Sequence, residues 1–335
     1  MTTGHAGVES RTLQRMDGDD DRTLSAGGRP KVEVRTWRKR AALVLSAEGL
    51  EATFLPEVGM AGVSLRWRGR EFLALGGSLE DASRTPVGMA LLHPWANRLS
   101  QRHYSVDGRE VSLADATVPC DENGLPIHGT LLGRDGWRVT WVNSGVASAT
   151  VRARLSYGEH LGDAFAAFPF PHDVLVEITV DGSLTVSTTI EPTGPARVPV
   201  SFGWHPYFRV PGARRASLRL YLPTRRVVEL DPRGIPTGRS EVVGPSREPL
   251  GARHLDDHFV IGNDRRVELR GGRHRVVVTL GEGFPYAQIY APAGSTVVAI
   301  EPMTSLVDAL TSGGCPLVAP GSTYTAHFTV SVDEI

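Results

Sequence analysis

Lysine is almost missing from this chain of 335 residues, where Lys31 and Lys39 are the only two among 36 basic side chains. A Schiff-base or phosphate-loop lysine therefore has almost no candidate, and several enzyme classes fall away with it. Cysteine is as scarce: Cys120 and Cys315 lie far apart and fit no metal-ligand spacing, so reduced, cytosolic thiols are the default expectation, with a single disulfide left open. An excess of charge is also lacking. The formal net charge of -1 excludes the basic footprint of a nucleic-acid binder and points to a small, neutral partner. No apolar run approaches the length of a membrane span, and the first thirty residues contain no continuous apolar segment of the signal-peptide kind. The sequence thus reads as cytoplasmic and soluble, with no membrane contact.

What is present is the composition of a globular protein, with 41% hydrophobic and 22% charged residues, enough for a sizeable core. The length suits either two ordinary domains or one large β-sandwich. Met1 to about Pro30 is polar and without period, which predicts a disordered amino-terminal extension, and the patterned sequence from Lys31 to residue 335 reads as the folded domain. Its recurring signal is a strand-length run closed by a turn. Asp107-Gly108 separates Tyr104–Val106 from Val111–Leu113, Asp181-Gly182 separates Val174–Val180 from Leu184–Ile190, and Gly271-Gly272 separates Val267–Leu269 from Val276–Leu280. Further strand candidates are Ala41–Ser46, Trp137–Val142, Ala149–Leu155, Leu218–Leu222, Ala287–Tyr290, Thr296–Ile300 and Tyr324–Val332, whereas only Thr304–Leu310 reads as helical. The expected class is all-β, built of packed antiparallel sheets with few short helices. The X-Gly turns are unevenly spaced, which disfavours a propeller or solenoid.

Four polar clusters interrupt this pattern. His93-Pro94-Trp95-Ala96-Asn97-Arg98 sets an amide and a guanidinium side by side, suited to holding hydroxyl groups, although Arg98 could equally pair with a structural carboxylate. In Asn123-Gly124-Leu125-Pro126-Ile127-His128-Gly129 a histidine precedes a glycine that lets a ligand approach the backbone; His128 alone reads as a loop histidine or as a catalyst. Pro199 to Phe208 crowds His205 among large aromatics that lower the local dielectric and tune its pKa, as suits a proton donor or a hydrogen-bonded core histidine. Val297 to Ile300 is continuously apolar and ends in Glu301, a carboxylate that burial makes costly unless it is paired or used as a base. Asp256 or Asp257, and Gln288, add possible contacts to hydroxyls.

In this order the clusters resemble the aldose 1-epimerase (galactose mutarotase) family. The matching pieces are Pro94-Trp95-Ala96-Asn97-Arg98, Ile127-His128-Gly129, Gly203-Trp204-His205-Pro206-Tyr207-Phe208, Leu255-Asp256-Asp257-His258-Phe259 and Ile300-Glu301-Pro302-Met303-Thr304, within a likeness from about Val32 to the carboxyl end. The resemblance implies a single large twisted antiparallel β-sandwich with a sugar cleft on a concave sheet face. It implies an isomerase in which His205 protonates the ring oxygen, Glu301 removes the anomeric hydroxyl proton and His128 assists. Asn97, Arg98, Asp256 and Gln288 would hold the sugar hydroxyls, Asp256 being preferred over Asp257 for its spacing to Phe259. No metal or other cofactor is required, the partner is a monosaccharide, and monomer and homodimer stay open. The family pattern commonly carries a second glycine where Thr130 stands.

Three other readings remain. A hexose 6-phosphate 1-epimerase of the same fold would need further cations, for which Arg102 and Arg134 are candidates. A non-catalytic carbohydrate-binding protein would need neither acid nor base. Glycoside hydrolysis would use a carboxylate pair such as Asp256 and Glu301. For the epimerase, His205 and Glu301 are expected to support each other's charged forms.

Overall fold

The computed structural model describes residues 29–335, so the expected amino-terminal extension lies almost wholly outside the described residues. Two large sheets dominate, and every ladder between their strands is antiparallel.

The nine-stranded sheet runs, in spatial order, Ser246–Pro249, Arg219–Leu222, Arg266–Gly271, His274–Leu280, Tyr324–Glu334, Leu184–Pro192, His172–Val180, Ala149–Tyr157 and Arg138–Ser144. Its strands alternate: Val174, Val176, Ile178 and Val180 are buried while Leu175, Glu177 and Thr179 are partly exposed, as a sheet with one wet face requires. The outer face is knitted by threonine pairs in register, Thr150 with Thr179 at 3.1 Å, Thr185 with Thr329 at 3.1 Å and Thr189 with Thr325 at 2.8 Å.

The twelve-stranded sheet runs Lys31–Trp37, Arg40–Ala47, Leu50–Leu55, Ala61–Trp67, Met89–Leu92, Gly203–Phe208, Val298–Met303, Tyr286–Ala291, Leu255–Ile261, Arg225–Leu230 and Pro236–Val243, with Arg70–Glu71 beside Ala61–Trp67. Its central strands are buried on both faces, so apolar alternation is lost there: every residue of Met89–Leu92 and Val298–Met303 is buried. One face packs against the other sheet. Trp204, fully buried, donates from Nε1 to Thr188 Oγ1 at 3.0 Å and lies 6.1 Å from the Phe328 ring. One apolar cluster takes in residues of both sheets, from Leu43 to Val332.

The structure departs from the sequence pattern in five places. Gly203–Phe208 and Leu255–Ile261 are strands, not interruptions of the strand pattern. Glu301 sits inside its strand rather than at the end of it, since pairing continues to Met303. The helix expected over Thr304–Leu310 is confined to Ala309–Ser312. Thr304 is held to the Phe202 carbonyl by its amide at 3.0 Å and its hydroxyl at 2.9 Å, and Asp308 has a φ of 65°, so the segment cannot coil earlier. A short helix at Asp163–Ala167 carried no periodic signal. Among the hairpins, Asp107-Gly108 forms the expected two-residue turn with both φ positive, whereas Gly271 belongs to the ladder and the next turn falls on Gly272-Arg273.

Candidate active site

Register across the twelve-stranded sheet builds the site. His258 pairs with Gln288, and Gln288 with Glu301. Gly203 pairs with Met303 and Tyr207 with Ala299, which sets His205 opposite Glu301. Four polar side chains thus fall in one row across four neighbouring strands. Alternation sends them to the face opposite the core, because their neighbours Trp204, Ile289, Ile300 and Phe259 fill the interior.

On that face lies an open pocket of about 420 Å³. All seven residues expected from sequence line it: Asn97, Arg98, His128, His205, Asp256, Gln288 and Glu301. Asp257 does not, being on the side of its strand that carries Phe259. At the floor His205 Nε2 lies 3.2 Å from Glu301 Oε1, with the two side chains 6% and 2% exposed. The His128 ring stands perpendicular to His205 with centroids 5.6 Å apart, and Tyr207 lies 4.4 Å from His205 on its other flank.

Burial works against both charged forms of the central pair. It drives the His205 imidazole down to about 3 from 6.5 and lifts the Glu301 carboxyl well above 4.5, with the Asp256 charge adding to the second effect. Burial thus outweighs the expected mutual support of imidazolium and carboxylate, disfavouring the charged form of each. Burial and the neighbouring His205 and Arg98 likewise keep His128 neutral.

The loops that bring His128 and Arg98 to this floor are tightly specified. His128 and Gly129 have φ of 64° and 73°, and a Cβ on Gly129 would lie 2.2 Å from the His93 carbonyl, so only glycine fits there. The His93 carbonyl accepts from the amides of Thr130 at 2.8 Å and Leu131 at 3.0 Å, and His128 N donates to Asn97 O at 3.0 Å. Thr130 has no positive φ, and its hydroxyl meets Tyr157 OH at 2.9 Å. A threonine therefore fits where the family pattern has glycine. Arg98 donates from Nε to Asp121 Oδ2 at 2.6 Å and from Nη1 to Asn97 Oδ1 at 3.2 Å. The pairing of Arg98 with a carboxylate, left open by the sequence, is thus present inside the pocket itself.

Gln288 is held from both ends. Its Nε2 donates to Asp256 Oδ1 at 2.5 Å, and its Oε1 accepts from His258 Nδ1 at 3.0 Å. Burial lowers His258 to about 4, so the imidazole is neutral with its proton on Nδ1. Sequence reading had not singled out His258, Tyr207, Tyr290, Asp121, Arg84 or His254. Tyr207 and Tyr290 stand two residues beyond His205 and Gln288 on the same strands, so period two would have found them. Arg84 and Asp121 come from loops without a periodic signal. Arg102 and Arg134 do not line the pocket: Arg102 donates to the Leu113 and Ala116 carbonyls and Arg134 to that of Thr130.

An antiparallel sandwich of two large sheets, with a buried histidine and glutamate side by side at the floor of an open pocket on one outer face, defines a galactose mutarotase-like fold. The aldose 1-epimerase family model matches residues 42–331, and the chain belongs to that family. A galactose mutarotase-like protein from Clostridium acetobutylicum superposes with a TM-score of 0.78 at 21% identity, over 91% of this chain and 98% of that one. A galactose 1-epimerase from Lactobacillus acidophilus gives 0.70 at 15% identity over 91% and 98%. For a putative aldose 1-epimerase from Escherichia coli K12 the values are 0.66 and 20% over 87% and 98%. At these identities the likeness is one of fold. No curated protein matches the chain, and among the described residues no helix is long and apolar enough to cross a membrane.

Proposed function

We propose that this protein is an isomerase that interconverts the α and β anomers of a free aldose such as glucose or galactose. The observation that carries the reading is the 3.2 Å contact between His205 Nε2 and Glu301 Oε1 on the floor of the pocket. Anomer exchange requires a proton on the ring oxygen and removal of the one on the anomeric hydroxyl, and each positioned group contributes about 10² to about 10⁴-fold. His205 donates to the ring oxygen and Glu301 accepts from the hydroxyl. The bond between the anomeric carbon and the ring oxygen breaks, the free aldehyde rotates about its neighbouring bond, and reclosure on either face returns both protons. His128 supports the ring-oxygen side, while Asn97, Arg98, Asp256 and Gln288 orient the hydroxyls.

The proton inventory is consistent with this role. Imidazolium with carboxylate is the form that attacks the closed ring, and neutral imidazole with carboxylic acid is the form left once the ring has opened. The two differ only by one proton moved between His205 and Glu301, with no exchange with solvent. Burial, by favouring the neutral form, stabilises the state that accompanies the aldehyde.

The rate follows the single-proton state of the pair. Its acid limb should lie well below the ordinary imidazole range and its alkaline limb well above the ordinary carboxylate range. The direct test is polarimetry of freshly dissolved α-D-glucose and α-D-galactose with and without the protein. Faster equilibration is expected. Sugar binding with no acceleration for any aldose would replace the enzyme by a carbohydrate-binding module.

A further inference from the structure

We infer that the pocket admits uncharged aldoses and turns away anionic ones, sugar phosphates and uronates alike, because Asp121 neutralises Arg98 inside it. This deepens the epimerase reading and rests on it. An arginine in a sugar pocket is ordinarily the natural receptor for a phosphate or carboxylate, through two parallel N–H donors. Here that capacity is already taken. Asp121, with a side chain only 2% exposed, accepts from Arg98 Nε at 2.6 Å, and the Arg98 side chain is itself 13% exposed, so the pair is nearly dry.

Asp121 cannot swing away, since its other oxygen accepts from the amides of Asn123 and Leu125, each at 2.9 Å. Burial alone would raise this carboxyl, but the Arg98 guanidinium and those two amides hold it below its usual range, and it stays ionised. Arg98 is also fixed in place. Nη1 turns to Asn97 Oδ1 at 3.2 Å, and a Cβ added to Gly234 would stand 2.9 Å from Nη1, so the guanidinium lies against backbone. What Arg98 offers a ligand is N–H donors without net charge, which suit hydroxyl oxygens.

The remaining charges do not restore an anion site. Arg84 and Glu122 are both exposed on the pocket lining and carry opposite charges, and the His205 imidazole, held neutral by burial, adds no cation. Among the described residues Asp256 is hydrogen-bonded to the Gln288 amide and forms no ion pair, so an anionic substituent meets an unopposed carboxylate. Partial burial together with the charges of Asp256 and Glu122 raises the Tyr290 hydroxyl in spite of the opposing Arg98 guanidinium, in keeping with a negative field in the pocket.

The test compares kcat/KM for glucose, glucose 6-phosphate and glucuronate, read as anomer exchange by NMR with the uncatalysed rate subtracted. Glucose should be favoured over both anions by about 30-fold or more. Asp121→Asn keeps an acceptor for the turn amides but frees the Arg98 charge, and should move the ratio toward the anions by about tenfold. Glu122→Gln, at the exposed rim, should move it by less than about threefold. Should Asp121→Asn fail to fold, ionic strength serves instead. From about 0.01 to about 0.15 M, kcat/KM should rise for the anions and stay level for glucose. Glucose 6-phosphate used as well as glucose, or a ratio that neither Asp121→Asn nor salt moves, would overturn the inference and leave the epimerase intact. If no aldose is turned over, the epimerase reading fails instead, and calorimetric titration with glucose and glucose 6-phosphate still reads the charge preference. Equal affinity would then refute it.

Discussion

The two sheets of this sandwich solve different problems. In the inner strands of the nine-stranded sheet every second side chain enters the core and the others reach solvent, so a residue's place follows from its parity. In the middle of the twelve-stranded sheet both faces are covered, yet one of them carries His205, Glu301, Gln288 and His258, all at most 5% exposed. Burying a histidine, a glutamate and an amide costs stability unless each finds a partner, and here they partner one another along a single register row. One sheet holds the fold together, and the other spends part of that stability on a site.

That division can be broken most sharply at His205. Replacing it with asparagine should lower kcat by about 10²- to about 10⁴-fold while the unfolding free energy stays within about 1 kcal/mol or rises, since a costly buried group is removed. Anomer exchange and urea melts on the same sample check both halves. The converse change, Phe328→Ala on the fully buried face of the nine-stranded sheet, should cost about 3 to about 5 kcal/mol and leave the exchange rate of the folded fraction near that of the wild type. A large loss of rate with little loss of stability at Phe328 would show the sheets not to be so divided.

Gly129→Ala joins the two problems, because its backbone sits at φ 73° and its carbonyl neighbour leaves no space. It should cost at least about 1 to about 3 kcal/mol and also displace His128, lowering the rate. A neutral effect on both would mean that the loop is not held against the His93 carbonyl. The smallest effect is gradual. Burial keeps His93, His128, His172, His205 and His258 neutral, with His172 and His258 lowered to about 4 and His205 to about 3 from 6.5.

Their stability contribution is complete above 6.5 and is lost as pH falls toward the folded values, because the unfolded chain takes up protons that the folded one refuses. Glu301 and Asp257, raised by burial, act in the opposite sense and lessen the slope without reversing it, two against five. The urea midpoint should therefore be lower at pH 5.5 than at pH 7; an equal or higher midpoint would contradict the neutral histidines.

The same contrast explains what could be read from sequence. Trp137–Val142, Ala149–Leu155, Val174–Val180, Leu184–Ile190, Leu218–Leu222, Val276–Leu280 and Tyr324–Val332 all fall within strands or at strand edges of the nine-stranded sheet, where alternation is clean except in the fully exposed edge strand Arg138–Ser144. In the other sheet Ala41–Ser46, Ala287–Tyr290 and most of Thr296–Ile300 were legible. Met89–Leu92 and Gly203–Phe208 were not, because a strand covered on both faces has no polar beat to reveal it. The expected site residues came from motif order rather than periodicity, which is why their motif-bearing members converge while Tyr207, Tyr290 and His258 went unnoticed. The pairing of Arg98 with Asp121 joins loops that sequence spacing does not connect.

The central claim is that the buried pair on the site sheet performs proton exchange on a sugar. It is tested most directly by the α-to-β exchange rate of glucose, measured by NMR saturation transfer with Glu301→Gln against the wild type, both shown folded by their melting curves. The variant should fall by about 10²-fold or more, toward the uncatalysed rate. A rate within a few-fold of the wild type would show that Glu301 is not the base.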